Sequence, residues 1–252
     1  MEKHAERFTG RVEDYKRYRL RYPPTVVDVL RERCELKPEN LVTDIGAGTG
    51  MLAELLLEAG NRVIAIEPNA EMRAACERLA ARFERLRVVE AAAEDTGLAA
   101  SSIDLVTVGR AFHWFDQERA LKEFKRILKP GGWVALVTNR RDREGTMGKE
   151  YEQILMEHGT DYGAVRGGYR SFMALKPYGE DAERFEVKMQ GEQRLTLEEF
   201  LGQTQSLSVT PMPGHPKYAG MHQALRDFFA KWSKDGVMRM GTVCEVVGWN
   251  TC

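Results

Sequence analysis

Leu41-Val42-Thr43-Asp44-Ile45-Gly46-Ala47-Gly48-Thr49-Gly50 is the stretch whose reading decides the fold. Its first half is short, apolar and β-branched, and so reads as a strand. Three glycines follow at every second position. Met51 to Ala59 then reads as a helix with Leu52, Leu55, Leu56 and Ala59 on one face. Gly60 and Asn61 end that helix. A strand that runs through a glycine turn into a helix opens a βα unit, which predicts a parallel neighbour beyond it.

The pattern repeats outward. Arg62–Ile66 reads as a second strand with Glu67 at its end, and Pro68-Asn69 lead into a helix over Ala70–Arg82. Arg87–Glu90 and Ile103–Val108 read as the third and fourth strands. Asp116 caps a helix to Leu128, Lys129-Pro130-Gly131-Gly132 terminates it, and Trp133–Thr138 reads as a fifth strand. A helix over Pro23–Arg33 precedes the whole series. Apolar strands alternating with helices predict an α/β, doubly wound, mostly parallel sheet covered on both faces. Such sheets bind ligands beyond the carboxyl ends of their strands, where the strand order switches.

After Asn139 the pattern changes. Arg140–Gly148 reads as a loop, Lys149–His158, Thr196–Gln205 and His215–Lys231 as helices, and Arg184–Met189 and Val237–Trp249 as strands. The expectation is one domain over residues 1–252, divided into an N-terminal segment 1–24, a core 25–139 and a sheet-completing half 140–252.

The 252 residues carry 37 Lys+Arg against 38 Asp+Glu, a net charge of −1, and 43 % are hydrophobic. This excludes a globally disordered chain and argues against a dedicated nucleic-acid binder, which needs a basic surplus. No apolar run is long enough for a membrane span, and the start Met-Glu-Lys-His-Ala-Glu-Arg-Phe lacks the apolar segment of a secretory signal. Cys34, Cys76, Cys244 and Cys252 show no metal or disulfide spacing, which points to a reducing cytoplasm and no metal site.

The chemistry concentrates at the glycine turn. Gly46, Gly48 and Gly50 let backbone approach a ligand closely and adopt positive φ, and the helix that follows offers free N–H groups. Glu67, at the end of the next strand, can accept hydrogen bonds from both hydroxyls of an adenosine ribose. That pair fits NAD or S-adenosylmethionine. The spacing is GxGxG rather than the dinucleotide GxGxxG, Asp44 stands where it can meet an ammonium, and no pyrophosphate cradle is needed; all three favour S-adenosylmethionine.

With these residues in hand, the sequence resembles the class I S-adenosylmethionine-dependent methyltransferases. The likeness rests on Asp44–Gly50, Glu67-Pro68-Asn69, Ala111-Phe-His-Trp-Phe-Asp116 and Leu128-Lys-Pro-Gly-Gly132. It is nearest to the type 11, trans-aconitate methyltransferase-like branch, and covers residues 8–139 well and the rest loosely. The resemblance implies seven strands, the last antiparallel. It implies that Gly46, Ala47, Gly48 and Gly50 surround the methionine part, that Glu67 and Pro68 hold the ribose, and that Ala93-Glu94 border the adenine. Ala92 departs from the pattern, standing where Asp is frequent. The resemblance also implies that the Tyr15–Pro23 stretch folds over the cofactor, with Tyr15 or Arg19 near its carboxylate; here Leu20 replaces a family proline. Residues 1–24 would then be a lid, although a solvated face or an RNA-stacking surface also fits the alternation of Tyr with Arg.

His113, after the fourth strand, is the candidate general base or orienter, with Trp114 or Phe115 as a wall against water. Arg110 is placed with the cofactor-binding residues and, like Arg19, could instead orient a carboxylate acceptor. Ser206-Leu-Ser208, Tyr169, Arg166 and His215 lie in the half that would set specificity. The expected function is methyl transfer from S-adenosylmethionine, leaving S-adenosylhomocysteine, to a small molecule bearing an oxygen nucleophile. An NAD-dependent oxidoreductase and a non-catalytic S-adenosylmethionine-binding protein stand as alternatives.

Overall fold

The structure is a computed structural model that describes residues 17–163 and 182–251. Tyr15, Arg166, Tyr169 and Cys252 lie outside the described residues, as does most of the 1–24 segment.

The core alternates as expected. Helix α1 (Thr25–Arg33) leads to β1 (Leu41–Ile45), α2 (Met51–Glu58), β2 (Arg62–Ile66), α3 (Ala70–Glu77), β3 (Leu86–Val89), β4 (Ile103–Gly109), α4 (Gln117–Ile127) and β5 (Leu128–Arg141). The second half adds α5 (Thr146–His158), β6 (Arg184–Leu195), α6 (Leu197–Gln205), α7 (Tyr218–Trp232), β7 (Ser233–Lys234) and β8 (Val237–Asn250). The sheet order is β3-β2-β1-β4-β5-β8-β6, with β7 paired to β8. β1 to β5 are parallel; β8 is antiparallel to both β5 and β6. The seven expected strands and the single reversed one are all present, and the two-residue β7 is an addition made by the Asp235-Gly236 turn.

Several boundaries move. β5 runs on to Arg141 and α5 begins at Thr146, so the expected 140–148 loop shrinks. The cause is β8, which pairs with β5 as far as Arg141↔Thr242. β6 likewise continues to Leu195 against Met238. The helix expected to reach Arg82 gives way to a 3-10 turn over Arg78–Ala81.

Burial explains the layers. One sheet face packs Val42, Val137 and Val246 against Val26 and Leu30 of α1 and Leu52 and Leu56 of α2. The other packs Ile45, Val106 and Trp249 against Phe124 and Ile127 of α4. The C-terminal helices have a core of their own, in which Tyr151, Phe200, Leu225 and Phe228 meet Met238 and Met240 of β8. The Phe200 and Phe228 rings stack at 5.6 Å. Among the described residues no helix is long and apolar enough to cross a membrane, and no cluster of His, Cys, Asp or Glu could hold a metal ion.

Candidate active site

The order of strands reverses between β1 and β4, and the glycine loop leaves β1 at that point. The Gly46 and Ala47 N–H groups both donate to the Ile66 carbonyl, at 2.9 and 3.0 Å, which ties the loop to the end of β2. Gly46 is fixed by crowding as well as by its φ of +67°: a Cβ there would lie 2.6 Å from the Ala111 Cβ and 3.0 Å from the Phe115 ring. Gly48, at φ +59°, has open space where its side chain would be. The loop is thus packed from below at Gly46 and left clear for a ligand at Gly48. Gly50 caps α2, whose first turn points its N–H groups at the same region.

Two buried carboxyl groups flank the loop. Asp44, on β1, is 1 % exposed and lies in register with Thr107 of β4. The Thr107 hydroxyl donates to Asp44 Oδ1 at 3.1 Å; Oδ2 is buried and makes no hydrogen bond among the described residues. Burial raises the Asp44 pKa to about 7, against the smaller opposing effects of that hydroxyl and of the Ala53 backbone N–H, with the Glu67 charge adding to the rise. Glu67 is 8 % exposed, and the N–H groups of Gly48 and Asn69 each donate to one of its oxygens at 2.8 Å. Burial pushes its pKa up, while these two donors and then Arg73 pull it back. Pro68 is exposed, and its carbonyl accepts from Arg73 Nη1 at 3.0 Å.

A small pocket opens between Asp44, Gly46, Thr49 and Met51 on one side and Tyr22 and Arg110 on the other; Ala47 also lines it. Thr49 Oγ1 is buried there without a hydrogen-bond partner among the described residues. Arg110 sits at φ +57°, in the left-handed region that costs a non-glycine residue about 1 kcal/mol or more. Its backbone N–H donates to the Val137 carbonyl at 3.0 Å, and its Nε to the Tyr22 hydroxyl at 3.1 Å. Its guanidinium lies 4.8 Å from the centre of the Tyr22 ring. The pocket therefore sets an acid against a guanidinium, the arrangement that suits an amino acid's ammonium and carboxylate.

Comparison with known proteins agrees. The family description of a methyltransferase domain matches residues 43–136, which run from β1 into β5. Residues 43–136 are thus similar to a methyltransferase domain. An uncharacterized methyltransferase of Mycobacterium tuberculosis is 36 % identical over 152 residues, 60 % of this chain and 60 % of that protein. The match thus spans about three fifths of that relative's length. Two solved structures share the fold. One, from Anaeromyxobacter dehalogenans, is described as a candidate type II methyltransferase; it has 23 % identity and TM-score 0.66, over 93 % of this chain and 97 % of that one. The other is a phosphoethanolamine N-methyltransferase of Haemonchus contortus, in complex with phosphomonomethylethanolamine and S-adenosylhomocysteine. It has 17 % identity and TM-score 0.51, over 89 % of this chain and 52 % of that one.

Around this site the remaining expected residues are more scattered. Ala93 is buried in the same core cluster as Phe112, against which Phe115 also packs. Glu94 is buried and accepts the Asp116 N–H at 2.7 Å, while Asp116 caps α4 by accepting from the Arg119 N–H. Its carboxyl thereby fixes the turn that carries His113 and Trp114. His113 is half-buried in the 3-10 turn Phe112–Trp114, with its ring 4.3 Å from that of Trp114, and does not line the small pocket. Arg19 does not line it either: its Nη1 donates to the Ser206 carbonyl at 3.2 Å, at the end of α6.

Residues 17–22 cross the carboxyl edge of the sheet. The Tyr18 hydroxyl donates to Glu198 at 2.6 Å, Asn139 Nδ2 donates to the Arg21 carbonyl, and Tyr22 meets Arg110. Sequence reasoning missed Thr107, Asn139 and Arg141 as parts of this region. The register Asp44↔Thr107 follows once β1 and β4 are taken as neighbours, so Thr107 was within reach. Asn139 and Arg141 were hidden by the apparent end of β5 at Thr138.

Proposed function

We propose that this chain transfers a methyl group from S-adenosylmethionine to an oxygen nucleophile, a carboxylate or hydroxyl, of a small molecule. The observation that carries the reading is Asp44 Oδ2: a buried carboxyl oxygen with no hydrogen bond among the described residues, in a pocket whose other wall is Arg110. Burying it unpaired costs about 1–3 kcal/mol or more, which a cationic ligand group would recover. The residues fit the cofactor. Asp44 would take the ammonium and Arg110 the carboxylate of the methionine part, beside the open ground at Gly48. Glu67 would take the ribose hydroxyls with the acceptor capacity its two N–H donors leave, next to Pro68. The loop at Ala93-Glu94 would border the adenine through its backbone, because the Glu94 carboxyl is engaged with Asp116.

When bound, the cofactor supplies a sulfonium carbon that an oxygen lone pair can attack as the carbon–sulfur bond breaks onto sulfur. The protein's part is to align acceptor and donor and to exclude water. Residues 17–22, with Tyr15 and the rest of 1–24, would close over the site as a lid. A carboxylate acceptor needs no base. For a hydroxyl acceptor His113 would take the proton, which leaves oxygen as the methyl arrives.

Calorimetry with S-adenosylhomocysteine, S-adenosylmethionine and NAD tests the cofactor. The first two are expected to bind and NAD is not; preferential NAD binding would overturn the reading in favour of an oxidoreductase. A labelled methyl donor screened against small acids and alcohols tests transfer itself. Binding without transfer to any acceptor class would favour a non-catalytic binding protein.

A further inference from the structure

Arg141 ends β5 and has no acidic partner among the described residues. Its guanidinium lies 4.4 Å from the centre of the Tyr151 ring and 5.1 Å from that of Phe200. Nη1 donates to Thr204 Oγ1 at 3.1 Å and Nη2 to Gln203 Oε1 at 3.0 Å. All four partners are neutral, and no carboxylate among the described residues pairs with it. Its neighbour Arg140, alternating to the other face of the strand, pairs with Glu245 at 3.3 Å, so carboxylates are not scarce along this edge.

A second cation faces the same place. Arg19 reaches Ser206 two residues beyond Thr204; burial holds the Arg141 pKa below the usual arginine range, Tyr151 opposes this, and the Arg19 charge adds a smaller push in the same direction as burial. Arg19 satisfies a carbonyl at the end of α6, an ordinary task for a cation at a helix C-terminus. Arg141 does not, since both of its bonds go to side chains. Ring faces and neutral acceptors compensate a half-buried charge only in part, and a like charge beside it raises the cost. The guanidinium has five N–H donors, of which these bonds use two.

The location matters. Gly109, the last residue of β4, pairs with Val137, and β5 runs four residues further, about 13 Å, to Arg141. Val137, Asn139 and Arg141 alternate onto one face. Val137 packs there with Tyr22, and Asn139 holds the Arg21 carbonyl. Arg141 therefore stands on the face crossed by residues 17–22, beyond the small pocket and against the C-terminal helices.

We infer that Arg141, flanked by Arg19, is an oxyanion subsite for the methyl acceptor: it takes a carboxylate or phosphate group of a small molecule and selects acids over their neutral analogues. This rests on the methyltransferase reading above and deepens it. A planar fork over an aromatic face is shaped for a two-oxygen group, and the residue as a whole is only partly buried.

The test is calorimetry on the whole chain saturated with S-adenosylhomocysteine, using succinate, inorganic phosphate and the neutral succinamide as probes. At least one acid is expected to bind and succinamide is not; whichever acid binds more tightly distinguishes carboxylate from phosphate. Arg141→Gln should weaken that acid about tenfold or more while S-adenosylhomocysteine affinity stays within about twofold. Arg141→Lys, which keeps the charge but loses the fork, should fall between. Failure of both acids to bind, equal binding of succinamide, or undiminished acid binding by Arg141→Gln would overturn the inference. If Arg141→Gln does not fold, the wild-type contrast of acid with amide decides. Should S-adenosylhomocysteine itself not bind, the methyltransferase reading fails, and the acid titrations without it still decide the subsite.

Discussion

The two ends of the site are built from opposite materials. Around the glycine loop the surface is backbone and acid: N–H groups of Gly48 and Asn69, and the buried carboxyls of Asp44 and Glu67. Around the end of β5 it is cation and ring: Arg19 and Arg141 among Tyr151 and Phe200. Each end has its own hydrophobic core, one beneath the sheet's carboxyl edge and one among α5, α6 and α7. The lesson is a division of labour. A ligand with a cationic centre and hydroxyls suits the first end, an anionic ligand the second, and residues 17–22 touch both.

This comparison breaks most readily at the second core. Phe200→Ala removes a fully buried ring and is expected to cost about 3–5 kcal/mol in denaturant unfolding. Calorimetry below the midpoint should still show S-adenosylhomocysteine bound within a few-fold of wild type; lost binding would mean the two ends are not separable. Next is Asp44→Asn, which would remove the proposed charge-assisted bond to the ammonium, worth about 1.5–3 kcal/mol, and should weaken the cofactor about 10- to 100-fold.

The Asp44 titration gives that effect a direction in pH. Its carboxyl is protonated below about 7 and ionised above, so affinity for a ligand with an ammonium should climb as pH rises through 7. The ligand-free fold should lose stability over the interval from 3.8 to about 7, because a raised folded pKa favours the protonated form. Calorimetry and unfolding from pH 5.5 to 8.5 check both, and Asp44→Asn should flatten both curves.

At Gly46, alanine combines a positive φ with a 2.6 Å contact, and a cost of about 2–3 kcal/mol is expected. The same change at Gly131, where φ is +74° but space is open, should cost only about 1 kcal/mol. Chemical denaturation of the pair separates crowding from backbone strain. The smallest effect expected is on chemistry: His113→Gln should barely change transfer to a carboxylate and should suppress neutral-range transfer to a hydroxyl. A labelled-methyl assay across pH distinguishes these, and unchanged hydroxyl transfer would remove His113 as a base.

How much could be read in advance also divides along this line. The first five strands and their helices announced themselves because each is a local pattern, apolar run or amphipathic turn, bounded by Gly, Pro, Asn or Asp. Asp44, Gly46 and Glu67 followed because strand ends in a doubly wound sheet converge on one edge. The far end depends on pairings distant in sequence. Lys129–Gly132 looks like a stop, yet Gly131 N–H donates to the Thr251 carbonyl and the strand goes on to Arg141. β6 carries charges on alternate residues as an edge strand does, and continues past Gly191 only because β8 runs beside it. Glu94, expected to border the adenine, has as its partner a backbone N–H 22 residues on. Nothing local in the sequence marks Arg141, whose partners come from α5 and α6.

The most direct test of the central claim is titration of S-adenosylhomocysteine into wild type and Glu67→Gln, with NAD as the control. The account predicts binding to wild type, little or no binding of NAD, and at least about a tenfold loss in the variant, whose amide can no longer accept from both ribose hydroxyls as a carboxylate does. Equal affinity in the two proteins, or tighter binding of NAD, would contradict it.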